Sequence, residues 1–149
     1  MTDSRQRGTD ATQVIREIVR RAGHEIRNAL SGAAVNSEVV RSRSQRDTPG
    51  AEIATFAERV AAQIGEASSL SDGLLALVGA VLVAQSEGTL RTGADHGAGP
   101  SIELMIYGDA ATVVSEIERL TSRVGVGIEQ NGQRVILTIL PEGKSHSKD

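Results

Sequence analysis

The chain has 149 residues, a formal net charge of −3, and neither cysteine nor tryptophan. The length suggests one domain or two very small ones. The absence of thiols excludes disulfides and thiolate zinc sites and fits a reducing cytoplasm. With one Phe and one Tyr there is almost no aromatic surface on which bases could stack, so we expect no nucleic-acid partner.

The N-terminal part of the chain predicts a polar start and a long helix. Residues 1–11 are polar, and we expect them to be disordered. Thr12 is a plausible N-cap, after which apolar residues recur at helical spacing as far as Val40. Residues 41–50 lose this pattern and end in Pro-Gly, which predicts a turn. Residues 1–50 carry a net charge of +3 and the remainder −6, so the first half is suited to an acidic partner surface.

A second helix is predicted over residues 51–85, about 50 Å long at ~1.5 Å per residue. Its residues at alternating spacings of four and three form a heptad stripe in which only Ser71 is polar. The stripe consists of Ile53, Ala57, Val60, Ile64, Ala67, Ser71, Leu74, Val78 and Val81.

Two long helices joined by a short turn predict an antiparallel hairpin over residues 12–87. One hairpin alone would leave part of both apolar stripes in water, so we predict a homodimer that closes a four-helix bundle. The polar N-terminus has no signal-peptide pattern, and the longest apolar run, residues 74–84, is too short to span a bilayer. We therefore expect no membrane segment.

The C-terminal part predicts a small module behind a linker. Residues 88–100 are rich in glycine, which is typical of a linker. Apolar runs at 102–107, 124–129 and 134–140 surround an amphipathic helix over 109–123, for which Asp109 is a good N-cap. Asn131-Gly132 predicts a hairpin with a type I′ turn. The predicted fold class is thus α+β, a helical hairpin followed by a β-α-β-β module over 101–143, with a loose tail over 144–149.

The first helix contains the most specific motif of the chain. Residues 24–30 read His-Glu-Ile-Arg-Asn-Ala-Leu. This stretch resembles the phosphoacceptor box of sensor histidine kinases, usually His-Glu-(apolar)-(Arg/Lys)-(Asn/Thr)-Pro-Leu. Six of the seven positions agree, and Ala29 replaces the proline. The resemblance implies a phosphoryl group carried on an imidazole nitrogen of His24. It also implies a dimeric two-helix bundle, which agrees with the heptad pattern.

Helical geometry orients this motif. Residues 22 and 26 lie on the apolar stripe, so His24 should point into solvent, where a partner's active site can reach it. Glu25 can hold the imidazole tautomer or accept its proton, and Asn28 can orient a phosphoryl oxygen. The resemblance assigns Glu25 and Asn28 to phosphotransfer and dephosphorylation. Further residues are predicted to meet phosphate or the acidic pocket of a receiver domain, namely Arg20, Arg21, Arg27 and Ser31.

The C-terminal module resembles a reduced piece of the ATP-binding domain that follows the helices in these kinases. Gly108-Asp109 and the helix after it are similar to the start of that domain's first conserved helix. Where the family has Asn, this chain has Arg119 and Arg123, which cannot ligate Mg²⁺ because guanidinium offers no lone pair. Residues 141–143, Pro-Glu-Gly, are all that corresponds to the adenine-reading motif. We expect no ATP binding, no autophosphorylation and no cofactor beyond Mg²⁺ on the partner receiver.

The resulting hypothesis is a cytoplasmic phosphorelay protein that passes phosphoryl between receiver aspartates through His24. Its expected partners are a second copy of the chain, receiver domains and a cognate hybrid kinase. The alternative is a non-catalytic, pseudokinase-type protein that binds a response regulator or a kinase. A third reading is a diverged active kinase, or a bundle phosphorylated by another kinase. His96 and His146 show no metal-ligand spacing relative to His24, and we predict no metal site.

Overall fold

The structure is a computed structural model that describes residues 2–46, 48–92 and 99–141. Two long helices are followed by a small antiparallel sheet and one further helix, which confirms the predicted α+β class. In chain order the elements are α1 (Thr2–Ser44), α2 (Gly50–Ser86), β1 (Arg91–Thr92), β2 (Ser101–Met105), α3 (Ala110–Val124), β3 (Val126–Asn131) and β4 (Arg134–Ile139).

Helices α1 and α2 form the antiparallel hairpin. Polar cross-links between the two helices include the Asn36 amide, which donates to Gln63 Oε1 at 2.9 Å, and an ion pair between Arg43 and Glu52 beside the turn. Helix α1 begins at Thr2, so Thr12 lies inside the helix and not at its N-cap, and residues 2–11 are helical where we expected disorder. The packed face starts earlier than the sequence pattern suggested, because Ala11 is already 97% covered.

The covered face of α2 differs from the predicted stripe. The buried residues recur at helical spacing but only in the C-terminal half, and they are Ala67, Leu70, Gly73, Leu77, Val81 and Ala84. Two members of the predicted stripe, Ile64 and Val78, are 49% and 37% exposed. The reason is that α3 also packs on α2, so the buried face is set by two neighbouring helices and not by α1 alone.

The C-terminal module has one strand more than predicted. Strand β1 lies in the stretch that we interpreted as linker and pairs with β2 through Arg91 and Glu103. The sheet order is β1-β2-β4-β3, and every pairing is antiparallel. The module is therefore β-β-α-β-β. The remaining linker residues 93–98 and the predicted tail lie outside the described residues.

The β3–β4 hairpin exists as predicted, but its turn is displaced by one residue. Asn131 pairs with Arg134, so the two loop residues are Gly132 and Gln133. Gly132 has φ +63°, and among the described residues positive φ occurs only at glycines. A type I′ turn needs positive φ at both loop positions, whereas a glycine followed by negative φ is the pattern of type II′. The turn is also attached to the chain after β2, because the Gln133 backbone oxygen accepts from the Ile106 amide at 2.7 Å.

Both ends of α3 have identifiable caps. The Asp109 carboxylate accepts from the Thr112 backbone amide at 3.3 Å and from the Thr112 hydroxyl at 2.6 Å, which confirms the predicted N-cap. These hydrogen bonds to Thr112 lower the pKa of Asp109. At the other end Gly125 adopts the left-handed conformation with φ 66°, and its amide donates to the Thr121 carbonyl.

One core joins the helical hairpin to the module. It combines Val14 and Ile18 of α1, Leu70 and Leu77 of α2, and the apolar faces of α3 and the sheet. Gly73 permits the closest approach, since a Cβ at this position would lie 2.8 Å from the Glu116 carbonyl oxygen on α3. The half of the hairpin that carries residue 24 is thus packed against the module, and its opposite end is covered by fewer residues.

Candidate functional site

His24 lies on the outer face of α1. Its neighbours Ala22 and Ala29 are 0% and 7% exposed, so the opposite side of the helix carries the packing. His24 and Asn28 are exposed, as is Ser31, and Glu25 is half-buried. The predicted orientation of the histidine is confirmed, and Asn28 lies one helical turn further along the same side.

Glu17 organises two of the arginines before His24. Its carboxylate accepts from Arg20 at 2.7 and 2.9 Å and from Arg21 Nε at 2.9 Å. These bonds, first from Arg20 and then from Arg21, lower the pKa of Glu17 from 4.5 to about 2. The two guanidinium groups are therefore bound to a permanently charged carboxylate at neutral pH.

Arg21 has a structural position that the sequence did not reveal. The residue is 8% exposed, and its Nη1 donates to the carbonyl oxygens of Val124 at 3.1 Å and Gly125 at 2.9 Å. These are the last carbonyls of α3, where the helix dipole is negative and a cation is favourable. We predicted that Arg21 would meet phosphate or the acidic pocket of a receiver domain. In the structure its guanidinium ties α1 to the end of α3.

That contact places the end of α3 close to the candidate site. Arg21 precedes His24 by less than one helical turn, so α1 is joined to Val124 and Gly125 through a residue of the turn before the histidine. A second link, the ion pair between Arg123 and Glu66, holds the same end of α3 to α2. The C-terminal module is therefore attached to both helices of the hairpin, which local sequence patterns could not indicate because the Arg21 contact joins residues over a hundred positions apart.

Arg27 behaves differently from the two preceding arginines. It is exposed, and its Nε donates to the carbonyl oxygen of Gly23 at 3.2 Å. Within the described ranges it takes part in no ion pair. Its guanidinium charge is thus uncompensated by a carboxylate and lies along α1 on the side of the candidate histidine.

The two arginines of α3 have different surroundings. Arg119 is exposed, and Arg123 is engaged with Glu66 of α2. No group of three or more histidines and carboxylates that could hold a metal ion occurs in the described part of the chain. His96 and His146 lie outside the described residues.

Helix α2 has a second apolar face that the described residues leave partly exposed. Leu75 and Leu82 are 70% and 58% exposed, and Ile64 and Val78 extend the same line at spacings of three, four and eleven residues. Leu30 of α1 is also 49% exposed. Exposed apolar surface of this extent on one side of a helix is typical of an interaction face.

By length and composition α2 is also apolar enough to cross a membrane, and about a third of its most apolar part is buried inside the protein. Core helices of soluble proteins share this length and composition. No family model, curated protein or solved structure matches the chain.

Proposed function

We propose that this protein is a histidine phosphotransfer protein of a two-component phosphorelay, with His24 as the phosphoryl carrier. The observation that supports this most directly is the exposure of His24 on the outer face of the hairpin, with exposed Asn28 one turn away and Glu25 beside it. A phosphoaccepting histidine must enter the active site of another protein, and a buried residue could not. The residues correspond in order to the phosphoacceptor box described above.

In the proposed reaction an imidazole nitrogen of His24 attacks the phosphorus of an aspartyl phosphate on a receiver domain. The new N–P bond forms as the bond from phosphorus to the carboxyl oxygen breaks, and the aspartate leaves as a carboxylate. Glu25 orients the tautomer or takes the imidazole proton, and Asn28 binds a phosphoryl oxygen. Transfer to a second receiver reverses these steps, with Mg²⁺ supplied by the receiver.

We propose that the phosphoryl group comes from a partner and not from ATP bound to this chain. Arg119 and Arg123 stand where a kinase of the resembled family has asparagines, and guanidinium cannot bind Mg²⁺. Arg123 is moreover paired with Glu66, so this end of α3 is used to attach the module to α2. The module then serves to fix the surroundings of His24 and to contact the receiver.

We further propose that the protein acts as a homodimer in the cytoplasm. The outer face of α2 around Leu75, Val78 and Leu82 supplies the apolar surface for a four-helix bundle. Association through this face leaves His24 accessible, since the histidine lies on a different helix and points away from the packed side. Sedimentation of the purified protein without detergent tests the dimer. Recovery of the protein only in the membrane fraction of cells would contradict the cytoplasmic location.

The proposed function is tested by intact-mass analysis of acid-labile phosphate. The protein is incubated with phosphorylated receiver domains from its own genome and, in parallel, with Mg-ATP alone. A gain of one phosphoryl mass with receivers only, absent in His24→Ala, is the expected result. A gain with Mg-ATP alone would show an active kinase instead, and no gain in either arm would refute phosphotransfer.

The exposed apolar face of α2 also favours a second function, a non-catalytic protein that binds a response regulator or kinase. His24→Ala distinguishes the two. In a phosphorelay the substitution abolishes transfer while receiver binding persists, whereas in a binding protein it changes neither the complex nor the downstream output. Isothermal titration with unphosphorylated receiver measures the affinity of the complex. A receiver phosphorylation assay measures phosphoryl transfer and the downstream output.

A further inference from the structure

The residue immediately before His24 is Gly23, which lies in the interior of α1. Glycine in a helix interior costs about 0.5–1 kcal/mol relative to alanine. Gly23 is half-buried, and a Cβ built on it would meet only one group within 4 Å, the Nη2 atom of Arg27 at 3.3 Å. The space left by the missing side chain is thus occupied by a guanidinium group.

Arg27 is held in that space. Helical side chains lean towards the N-terminus, so Arg27 lies back over the preceding turn. Its Nε donates to the Gly23 carbonyl oxygen at 3.2 Å, which turns the charged end flat against the helix. Residues 24 and 27 are neighbours on a helix surface, with about 5–6 Å between Cβ atoms. The guanidinium therefore lies against the residue that precedes His24, within the same helical turn.

We propose that Gly23 is a positioning residue that seats Arg27 beside His24, so that the guanidinium binds the phosphoryl group as it arrives on the imidazole. The inference rests on the proposed function and extends it to a residue outside the phosphoacceptor motif. It also separates the three arginines, since Arg20 and Arg21 are bound to Glu17 whereas Arg27 has no carboxylate partner within the described ranges.

The proposed contact between Arg27 and the phosphoryl group joins opposite charges. A phosphoryl group on His24 carries oxygens with about two negative charges, and a planar guanidinium can donate two parallel hydrogen bonds to them. Because Nε is already bound to the Gly23 carbonyl, the donors left for the phosphoryl oxygens are those of the two terminal nitrogens. An alanine at position 23 would push these nitrogens outward by a few tenths of an ångström. The Arg27 guanidinium would then be held less firmly in its position.

The test uses phosphoramidate, a small donor that needs no partner protein. Its N–P bond breaks and ammonia leaves, while the new bond forms between phosphorus and an imidazole nitrogen of His24, whose proton goes to solvent. Labelling of His24 is followed by peptide mapping, with His146 of the same molecule as the internal reference. The variants are Gly23→Ala, Arg27→Gln, Arg27→Lys and the double variant Gly23→Ala/Arg27→Gln.

We expect Arg27→Gln to slow labelling of His24 by about tenfold, less than the hundredfold or more found for donors in enclosed sites because solvent screens this one. Arg27→Lys should recover part of the rate. Gly23→Ala should slow it by about threefold while raising the thermal midpoint by about 2–4 °C, because helix propensity improves. Opposite signs of rate and stability cannot arise from structural damage.

The double variant identifies the route of the effect. If Gly23 acts only through Arg27, its substitution adds nothing in the Arg27→Gln background. Arg41→Gln, the same charge change more than four turns away on α1, should leave the rate unchanged. Equal rates in wild type, Gly23→Ala and Arg27→Gln would overturn this inference alone. Failure of wild-type His24 to accept phosphoryl from both phosphoramidate and receivers would overturn the proposed function as well.

Discussion

Gly73 provides the sharpest test of how the module is attached to the hairpin. A Cβ at this position would lie 2.8 Å from the Glu116 carbonyl oxygen and 2.8 Å from Leu120 Cβ, both on α3. Ordinary contact begins near 3.4 Å, so Gly73→Ala requires α3 to retreat by about 0.6 Å. One of these atoms belongs to the backbone of α3, and the other is a Cβ atom fixed to that backbone. A side-chain rotation therefore cannot relieve either contact.

The size of the effect follows from two opposing terms. Alanine gains about 0.5–1 kcal/mol of helix propensity wherever it replaces glycine inside a helix. Overpacking of a close contact costs about 1–3 kcal/mol, and here it also separates α3 from the fully covered residues Leu70 and Leu77. Gly65→Ala is the matched control, because it lies on the same helix and its Cβ would meet nothing within 4 Å.

We expect Gly73→Ala to be less stable than Gly65→Ala by about 2 kcal/mol, or about 4–8 °C in thermal midpoint. The chain has no tryptophan, so far-ultraviolet circular dichroism is the appropriate signal. Hydrogen exchange should show loss of protection in α3 specifically. If Gly73→Ala is as stable as the control and α3 keeps its protection, the close approach of the two helices does not hold the module.

Three further predictions concern charge and association. Glu17→Gln should destabilise the protein by about 1 kcal/mol above pH 5, after allowance for solvent screening. Because folding lowers the pKa of Glu17 from 4.5 to about 2, urea titrations should show this difference shrinking as pH falls through that interval and disappearing only below it; a pH-independent difference would contradict the assignment. Arg21→Gln should cost about 2 kcal/mol and increase hydrogen exchange at the end of α3, since two carbonyls lose a charged donor; unchanged exchange there would exclude the contact. Leu75→Asp should convert a dimer to monomer in light scattering, whereas Tyr107→Asp, a comparably exposed position on the module, should not; a wild-type monomer would remove the basis of the bundle.

The sequence predicted the elements whose signals are local. Heptad spacing indicated the two long helices, and the Pro-Gly dipeptide indicated the turn between them. Asp109 indicated the start of the third helix. The positions of Ala22 and Ile26 on the apolar stripe also indicated that His24 would be exposed. These features depend on residues within a few positions of one another, which is the range over which periodicity and capping act.

The features that the sequence did not predict depend on distant contacts. Strand β1 is two residues long in a glycine-rich stretch and exists because β2 offers it an edge. The position of Arg21 depends on carbonyls at the far end of α3, and the rotated face of α2 depends on the approach of that helix at Gly73. The space filled by Arg27 could have been suspected from a helical glycine four residues earlier, but only the structure identifies its occupant.

The uneven packing along the hairpin has a consequence for its motions. Buried residues of α2 begin at Ala67, and none occurs between Gly50 and Glu66, so the end of the hairpin near the turn is held by half-buried apolar residues such as Ile53, Phe56 and Val60 and by a few polar pairs. Segments with few buried contacts open at low free-energy cost, whereas the well-packed part opens only with the whole molecule. His24 lies on the well-packed part. The end of the hairpin near the turn can therefore open transiently, and can adapt to a bound partner, without changing the orientation of His24.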